Sequence, residues 1–420
     1  DDSVHSHVKV GHRQALQFMK NPVSTKDGVF CLYPTSTPTA STLHFRTNST
    51  SFKQVQHYNS CGVSGYSCSL QSGLLNSRYL NLRILLPAFN VLALFLILLL
   101  GIQNARALDP QRLDVLEHRF NQVTSTRSQL TIDQRLHDLT HGIQSDQERA
   151  WLIYQWVIRH FQHDLKLSAR IGNPAKYSLD ELFRFGGGSC AVYANVIQRL
   201  FEKAGLQTVT VYGTAKSGTY LRKFGSMPVN HVWNAVKIEG EWRVVDSTWG
   251  AGFVGEQGFE RAPSELFFLM TPEMAVLSHF DEKDRFGFQK KFGVTARVFK
   301  QIPEDALYAV GVGFDPLDLL NQQSRFAGAD VVKTFDHEPG LFKVIDAPVQ
   351  GRLPRRMVTL QLESDVFDEI AVVQGKKWTP LKRSGNRHSI ELNPERGELV
   401  VMARRKPSAD YEALIAYQVR

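Results

Sequence analysis

Cys190 closes the run Gly186-Gly187-Gly188-Ser189-Cys190, directly ahead of a segment with helical periodicity. His231 opens a later strand-like run, and Asp246 closes the run after that. These three residue types share one kind of chemistry. A thiolate attacks an acyl carbon, an imidazole manages the protons, and a carboxylate orients the imidazole. A helix start suits the thiol, because orphan N–H groups and the positive end of the helix dipole favour thiolate. The glycines permit close backbone approach and positive φ. Alone, the glycine-rich run reads equally as a flexible loop with a buried cysteine. The histidine and carboxylate on one downstream hairpin make the chemical reading the sharper one.

The flanking elements must bring these side chains together. Ala194, Ile197, Leu200, Phe201 and Ala204 repeat at helical spacing and Gly205 fits the C′ position, so Cys190 stands at or next to a helix N-terminus. Strand-like runs follow at 208–214, 231–238 and 242–248, the last two flanking Glu239-Gly240-Glu241, which reads as a tight hairpin turn. That hairpin sets His231 far out on one arm and Asp246 further in on the other, as neighbours. Upstream, 109–141 looks helical, burying Leu113, Val115, Leu116, Phe120, Ile132, Leu136 and Leu139. Ser145-Asp146-Gln147-Glu148 reads as a capping box ahead of a helix that buries Ala150, Ile153, Tyr154, Val157, Ile158 and Phe161. A second box, Ser178-Leu179-Asp180-Glu181, starts a short helix ending in the triple glycine. Beyond Val294, alternating segments at 357–362, 369–373, 389–392, 398–403 and 413–417 are separated by Gly, Pro and Asn turns, which predicts a β-sandwich. The expected fold class is α+β: helices packed on an antiparallel sheet, then a β-sandwich-like C-terminal domain.

Other candidate ligands are weaker. His137 and His141 are spaced i, i+4, yet no acidic or cysteine partner completes a zinc pattern, so they read as surface histidines. His5, His7 and His12 are loose histidines in a Ser-, Thr- and Asn-rich stretch, which rarely form a defined metal site. The net charge of +8 over 420 residues is modest. Arg352-Leu353-Pro354-Arg355-Arg356 and Arg404-Arg405-Lys406 read as solvated faces, with contact to an anionic envelope surface the lesser alternative. No basic motif is interleaved with aromatics, so nucleic acid is not an expected partner.

Arg83 precedes an apolar run from Ile84 to Ile102, and Ala105-Arg106-Ala107 fits a cleavage signature, the order of a secretory signal. The run, over 84–102, is also long enough for membrane anchoring, since about 20 apolar residues span a bilayer. Either way the domain after Leu108 is expected outside the cytoplasm, periplasmic or extracellular. Residues 1–81 read as a disordered or mis-annotated leader, with a true start near 74–82 or else a genuine tail ahead of an anchor. Cys31, Cys61 and Cys68 all precede the apolar run, which leaves Cys190 as the lone thiol of the exported part, buried or reactive.

At these residues the sequence resembles the transglutaminase-like superfamily, over roughly 133–279. Its Gly-x-Cys motif corresponds to Gly188-Ser189-Cys190, its histidine strand to Asn230-His231-Val232-Trp233-Asn234, and its aspartate strand to Val244-Val245-Asp246-Ser247-Thr248-Trp249. The kyphoscoliosis-peptidase-like branch is the most similar. That likeness is carried by 150–157 with His163-Asp164, by His231-Val232-Trp233-Asn234, by 246–252, and by 267–273 with Ser278-His279-Phe280. The resemblance implies a papain-like core over 108–293 and an accessory β domain over 294–420 that binds or positions a partner protein, or serves structure alone. It implies a Cys190–His231–Asp246 triad acting on peptide or side-chain amides of a protein or peptide substrate, with Trp233, Trp249 and Tyr193 lining the cleft unless they are core. A peptidase or amidase is the first expectation. A protein transglutaminase or deamidase, and a non-catalytic scaffold, are the alternatives. Ser189 and Ala191 replace the Gln and Trp that flank the nucleophile of cross-linking transglutaminases, which weakens that alternative. Paired CxxC zinc ligands are absent from the sequence, so neither a metal nor another cofactor is expected.

Overall fold

The computed structural model describes residues 108–125, 130–216, 227–255, 258–304, 306–323, 331–335, 337 and 340–420. The leader expected over 1–81 and the signal or anchor over 82–107, with their histidines and three cysteines, lie outside the described residues. Among the described residues no helix is long and apolar enough to cross a membrane.

The helical layer begins with α1 (Pro110–Ser125), α2 (Ile132–Thr140) and α3 (Asp146–His160). The stretch expected as one helical region is thus two helices, the second started by a Thr131 capping box closed by Gln134. At α3 only half of the expected box forms. Ser145 Oγ accepts the Glu148 N–H at 3.3 Å, but the Glu148 carboxylate turns away to take both arms of Arg112 at 2.7 and 2.6 Å, tying α1 to α3. Residues Ala150 to Ile158 are all buried, so α3 is enclosed on every side rather than amphipathic.

Next come β1 (Gln162–His163), α4 (Leu165–Ile171), α5 (Leu179–Phe185), β2 (Gly187–Gly188) and α6 (Cys190–Lys203). The Ser178 box forms with Glu181 as expected. Helix α6 ends in a Schellman arrangement, with Gly205 N–H on Glu202 O and Leu206 N–H on Phe201 O. Strands β3 (Thr208–Ala215), β4 (His231–Ile238) and β5 (Glu241–Val245) lead into α7 (Ser247–Ala251). A small hairpin, β6 (Gly252–Gly255) and β7 (Gly258–Arg261), then precedes α8 (Pro272–Ser278) and β8 (His279–Phe280). The central sheet is antiparallel in the order β5-β4-β3-β8. Along β4, Val232, Asn234 and Val236 face α6, whereas Trp233 and Ala235 pack with Val244, Met270 and Ala275 on the other face.

Four short helices follow: α9 (Phe288–Lys291), α10 (Ala296–Gln301), α11 (Ala306–Gly311) and α12 (Pro316–Gln323). The β-rich stretch therefore begins at Lys333 rather than near Val294. These helices escape a strand-pattern reading because each is only a turn or two long, which leaves little periodicity to see. The C-terminal strands form two layers that run close to the expected segments, antiparallel except where Arg352–Leu353 runs parallel to the end of Glu412–Val419. One orders Lys343–Asp346, Val358–Glu363, Arg387–Leu392 and Lys382–Ser384; the other centres on Gly397–Arg404 between Glu369–Gln374 and Glu412–Val419. Val358, Leu360 and Leu362 alternate inward, and the shared core includes Phe367, Ile370, Leu399, Val401 and Leu414.

Lys216, just past β3, pins the short helices to the sheet. It is buried, and its Nζ donates to the C-terminal carbonyls of α10, Phe299 O and Ile302 O, the latter at 2.5 Å, and lies 4.6 Å from the Phe299 ring centroid. Those carbonyls are the negative end of α10 and need donors. Burial pushes the ammonium down to about 8, against the pull of Glu304. Because the unfolded lysine holds its proton up to about 10.4, stability is expected to rise as pH climbs from about 8 towards 9.5. Lys216→Met should lack that slope and lose about 1–3 kcal/mol through the orphaned carbonyls, measured by urea unfolding at pH 7, 8 and 9.5. A variant as stable as the parent, with the same slope, would contradict the pinning role.

Candidate active site

The site is assembled by the β4–β5 hairpin. Ile238 pairs with Glu241, leaving Glu239 and Gly240 as a two-residue turn with φ of 51° and 88°, the left-handed pair of a type I′ turn. That turn fixes the register. Asn234 opposes Val245, so Asp246 falls one step further out, across from Trp233. Trp233 and His231 share a strand face, and the carboxylate meets the imidazole diagonally. His231 Nε2 donates to Asp246 Oδ2 at 2.6 Å.

Asp246 also ends the strand and caps the next helix. Its Oδ1 accepts the N–H groups of Thr248 at 3.0 Å and Trp249 at 3.1 Å, two of the orphan donors of α7. Its Oδ2 takes a second imidazole, His279 Nε2, at 3.1 Å. The carboxylate is fully buried and accepts four hydrogen bonds, nearly its whole capacity. Burial alone would push its pKa up. The His231 charge and hydrogen bond, with the His279 hydrogen bond, outweigh that and hold it below the ordinary carboxylate range.

His279 is the residue that sequence reasoning quoted but gave no role. It opens β8, paired with Ala215 of β3, directly after α8. Its Nδ1 lies 2.8 Å from Ser278 Oγ, and burial lowers its pKa against the pull of Asp246. An ionised carboxylate only accepts, so the Nε2 of the neutral ring carries the proton and Nδ1 accepts from Ser278. The available signal was a serine-histidine pair at a helix-to-strand junction, too common a pattern to single out.

Cys190 is the first residue of α6 and is buried. Ser189, the N-cap, gives no side-chain cap to the helix; its Oγ instead lies 2.7 Å from Ser168 Oγ on α4. The helix start therefore keeps its anion-stabilising character. Cys190 packs with Ala194 and Val232, the residue next to His231. Gly188 sits tight under the first turn of α6: with φ at +151°, an added Cβ would stand 2.6 Å from Val192 Cγ2.

The expected cleft aromatics divide. Trp249 is partly exposed and stacks on His231 with centroids 5.1 Å apart. Trp233 is buried beneath the histidines, edge-on to His279 at 4.8 Å. Tyr193 does not line a cleft: it is fully buried on α6, 5.6 Å from the Phe161 ring, because its position on the helix faces the core rather than the Cys190 end.

His231, Asp246 and His279 offer three metal-ligand atoms within 4.8 Å of one another. Both imidazoles already address one carboxylate oxygen at hydrogen-bond distance, so a proton-bearing network accounts for the geometry. A cavity of about 740 Å³ lies elsewhere, between α1, α2, α3 and α5, and shares no lining residue with this cluster.

Residues 133–247 match the family model of the Transglutaminase-like superfamily, a span that holds Cys190, His231 and Asp246 and stops short of His279. The chain is 30% identical to human (Homo sapiens) kyphoscoliosis peptidase over 190 residues, covering 44% of this chain and 28% of that protein. It is 26% identical to Hillarin of Drosophila melanogaster over 195 residues, covering 42% of this chain and 23% of that one. A solved structure titled as a TGase aligns at 15% identity with a TM-score of 0.22, over 43% of this chain and 42% of that chain. The chain thus spans less than a third of the length of the curated relatives it matches. It carries a transglutaminase-like domain over 133–247, and its similarity to curated proteins includes the kyphoscoliosis peptidases.

Proposed function

We propose that this chain is a cysteine-nucleophile acyl-transfer enzyme that hydrolyses peptide or side-chain amides through Cys190, His231 and Asp246. The observation that carries the reading is the buried 2.6 Å bond from His231 Nε2 to Asp246 Oδ2, on the strand against which the helix-capping thiol packs. Asp246 occupies Nε2, which leaves Nδ1 of His231 for the thiol. The Cys190 thiolate forms the bond to the amide carbon, and the carbonyl π pair moves onto oxygen. Collapse breaks the C–N bond, His231 gives its Nδ1 proton to the leaving amine, and a thioester remains. Water activated by the same imidazole releases the acid and restores the thiol. An amine in place of water would give transamidation. A protein or peptide is the proposed substrate, and the export pattern over 82–107 supports work outside the cytoplasm. A carboxylate that holds His231 as well as the start of α7 supports the enzyme over the scaffold.

Alkylation of Cys190 by iodoacetamide, followed by intact mass from pH 5 to 9, reads the proposed pair directly. At pH 6 the parent should react at least tenfold faster than a free thiol of pKa about 8.5, and His231→Ala should fall back to the free-thiol profile. Parent and variant following the same free-thiol curve would sink the enzyme reading.

His279 enters as a positioning residue. His279→Ala removes one of the four donors on Asp246 and should slow pH 6 alkylation about tenfold while costing about 1–3 kcal/mol of stability. His279→Gln keeps an N–H towards Oδ2 and should restore most of the rate. An unchanged alkylation profile in both variants would leave His279 a structural role only.

A further inference from the structure

The acyl-transfer reading needs two donors for the oxyanion, and the N–H of Cys190 accounts for one. Two short strands border the nucleophile loop, and they set His163 beside it. In their parallel pairing, Gln162 opposes Gly187 and His163 opposes Gly188, two residues before Cys190. The pairing is closed on both sides by Gln162 N–H on Gly186 O at 3.0 Å and Asp164 N–H on Gly188 O at 3.1 Å. Contact is so close that a Cβ on Gly187 would stand 2.4 Å from the Gln162 carbonyl oxygen. Asp164 then caps α4 through the Leu167 N–H at 2.8 Å, so the residue after His163 is fixed as well. On its other side β1 packs against α7, the helix that carries Trp249 beside His231.

We propose that His163 is a catalytic residue, the second oxyanion donor, whose imidazole N–H shares the developing O⁻ with the backbone N–H of Cys190. The assignment rests on the acyl-transfer reading of the site. Its ring is partly buried and makes no hydrogen bond to another described residue, so a donor is available to a ligand. Burial lowers its pKa to about 4, and nearby His231 pushes the same way against Asp164. At neutral pH it is an uncharged donor, which adds no second cation to compete with the imidazolium. When sulfur bonds to the carbonyl carbon, the displaced π pair becomes the O⁻ that both N–H groups meet. As the C–N bond breaks, that pair returns to the C=O of the thioester.

Two reagents separate this role from the nucleophile pair. Iodoacetamide reacts at a saturated carbon and creates no oxyanion, whereas p-nitrophenyl acetate acylates through one. In the full chain, His163→Ala should keep the Cys190 alkylation rate within about twofold while burst acylation falls about 10²–10³-fold. His163→Gln, which retains an N–H, should recover at least tenfold of that loss. Equal loss of both rates would mean that His163 shapes the thiol pair, and no loss of acylation would mean that it meets no oxyanion; either overturns the proposal. A parent chain without accelerated alkylation would instead remove the acyl-transfer reading, and the role of His163 with it.

Discussion

A carboxylate with no access to water organises this site. Asp246 cannot remain ionised in the core unless nearly every lone pair is engaged, and the chain meets that demand from three elements at once. Two backbone N–H groups come from the helix that Asp246 itself caps, one imidazole from β4, and a second from β8. Losing any one donor loosens the others, because all four converge on a single rigid group. The type I′ turn, the β3–β8 pairing and the start of α7 can therefore be read as conditions on one ion. The fold secures the position of His231 by securing the charge that orients it.

The charge distribution follows from the same constraint. Asp246 is held ionised, while burial lowers the pKa of both His279 and His163 and keeps each neutral. In the proposed reading His231 is the ring that balances the carboxylate and pairs with the thiol. A neutral His279 contributes a dipole rather than a charge, so it steadies Asp246 without competing for the role of counter-ion. Three histidines thus take three different parts, set by burial and partners rather than by residue type.

Much of this was legible in the chain. Cys190 at a helix start, His231 and Asp246 on one hairpin, and Gly205 as helix stop all follow from local rules of capping, turns and period, and the structure places them accordingly. The strands after Val358 were legible for the same reason, since alternation is a local signal. What stayed hidden depends on distant contacts. Glu148 leaves its box because Arg112, far away in sequence, offers two charged bonds. Tyr193 was misplaced because the helix face it occupies is set by packing on α3 and not by its distance from Cys190. His279 reaches Asp246 through the β8–β3 pairing, and His163 stands beside the nucleophile loop through the β1–β2 pairing, each of two residues and too short to leave a pattern.

The central claim is that one buried carboxylate holds one charged and one neutral histidine. Nitrogen-15 NMR of histidine-labelled protein at pH 7 tests it directly, with His231→Gln and His279→Gln to assign the rings. The account predicts both nitrogens of His231 protonated, with a far-downfield Nε2 proton, and His279 neutral with its proton on Nε2. A neutral His231, or a charge residing on His279, would contradict it.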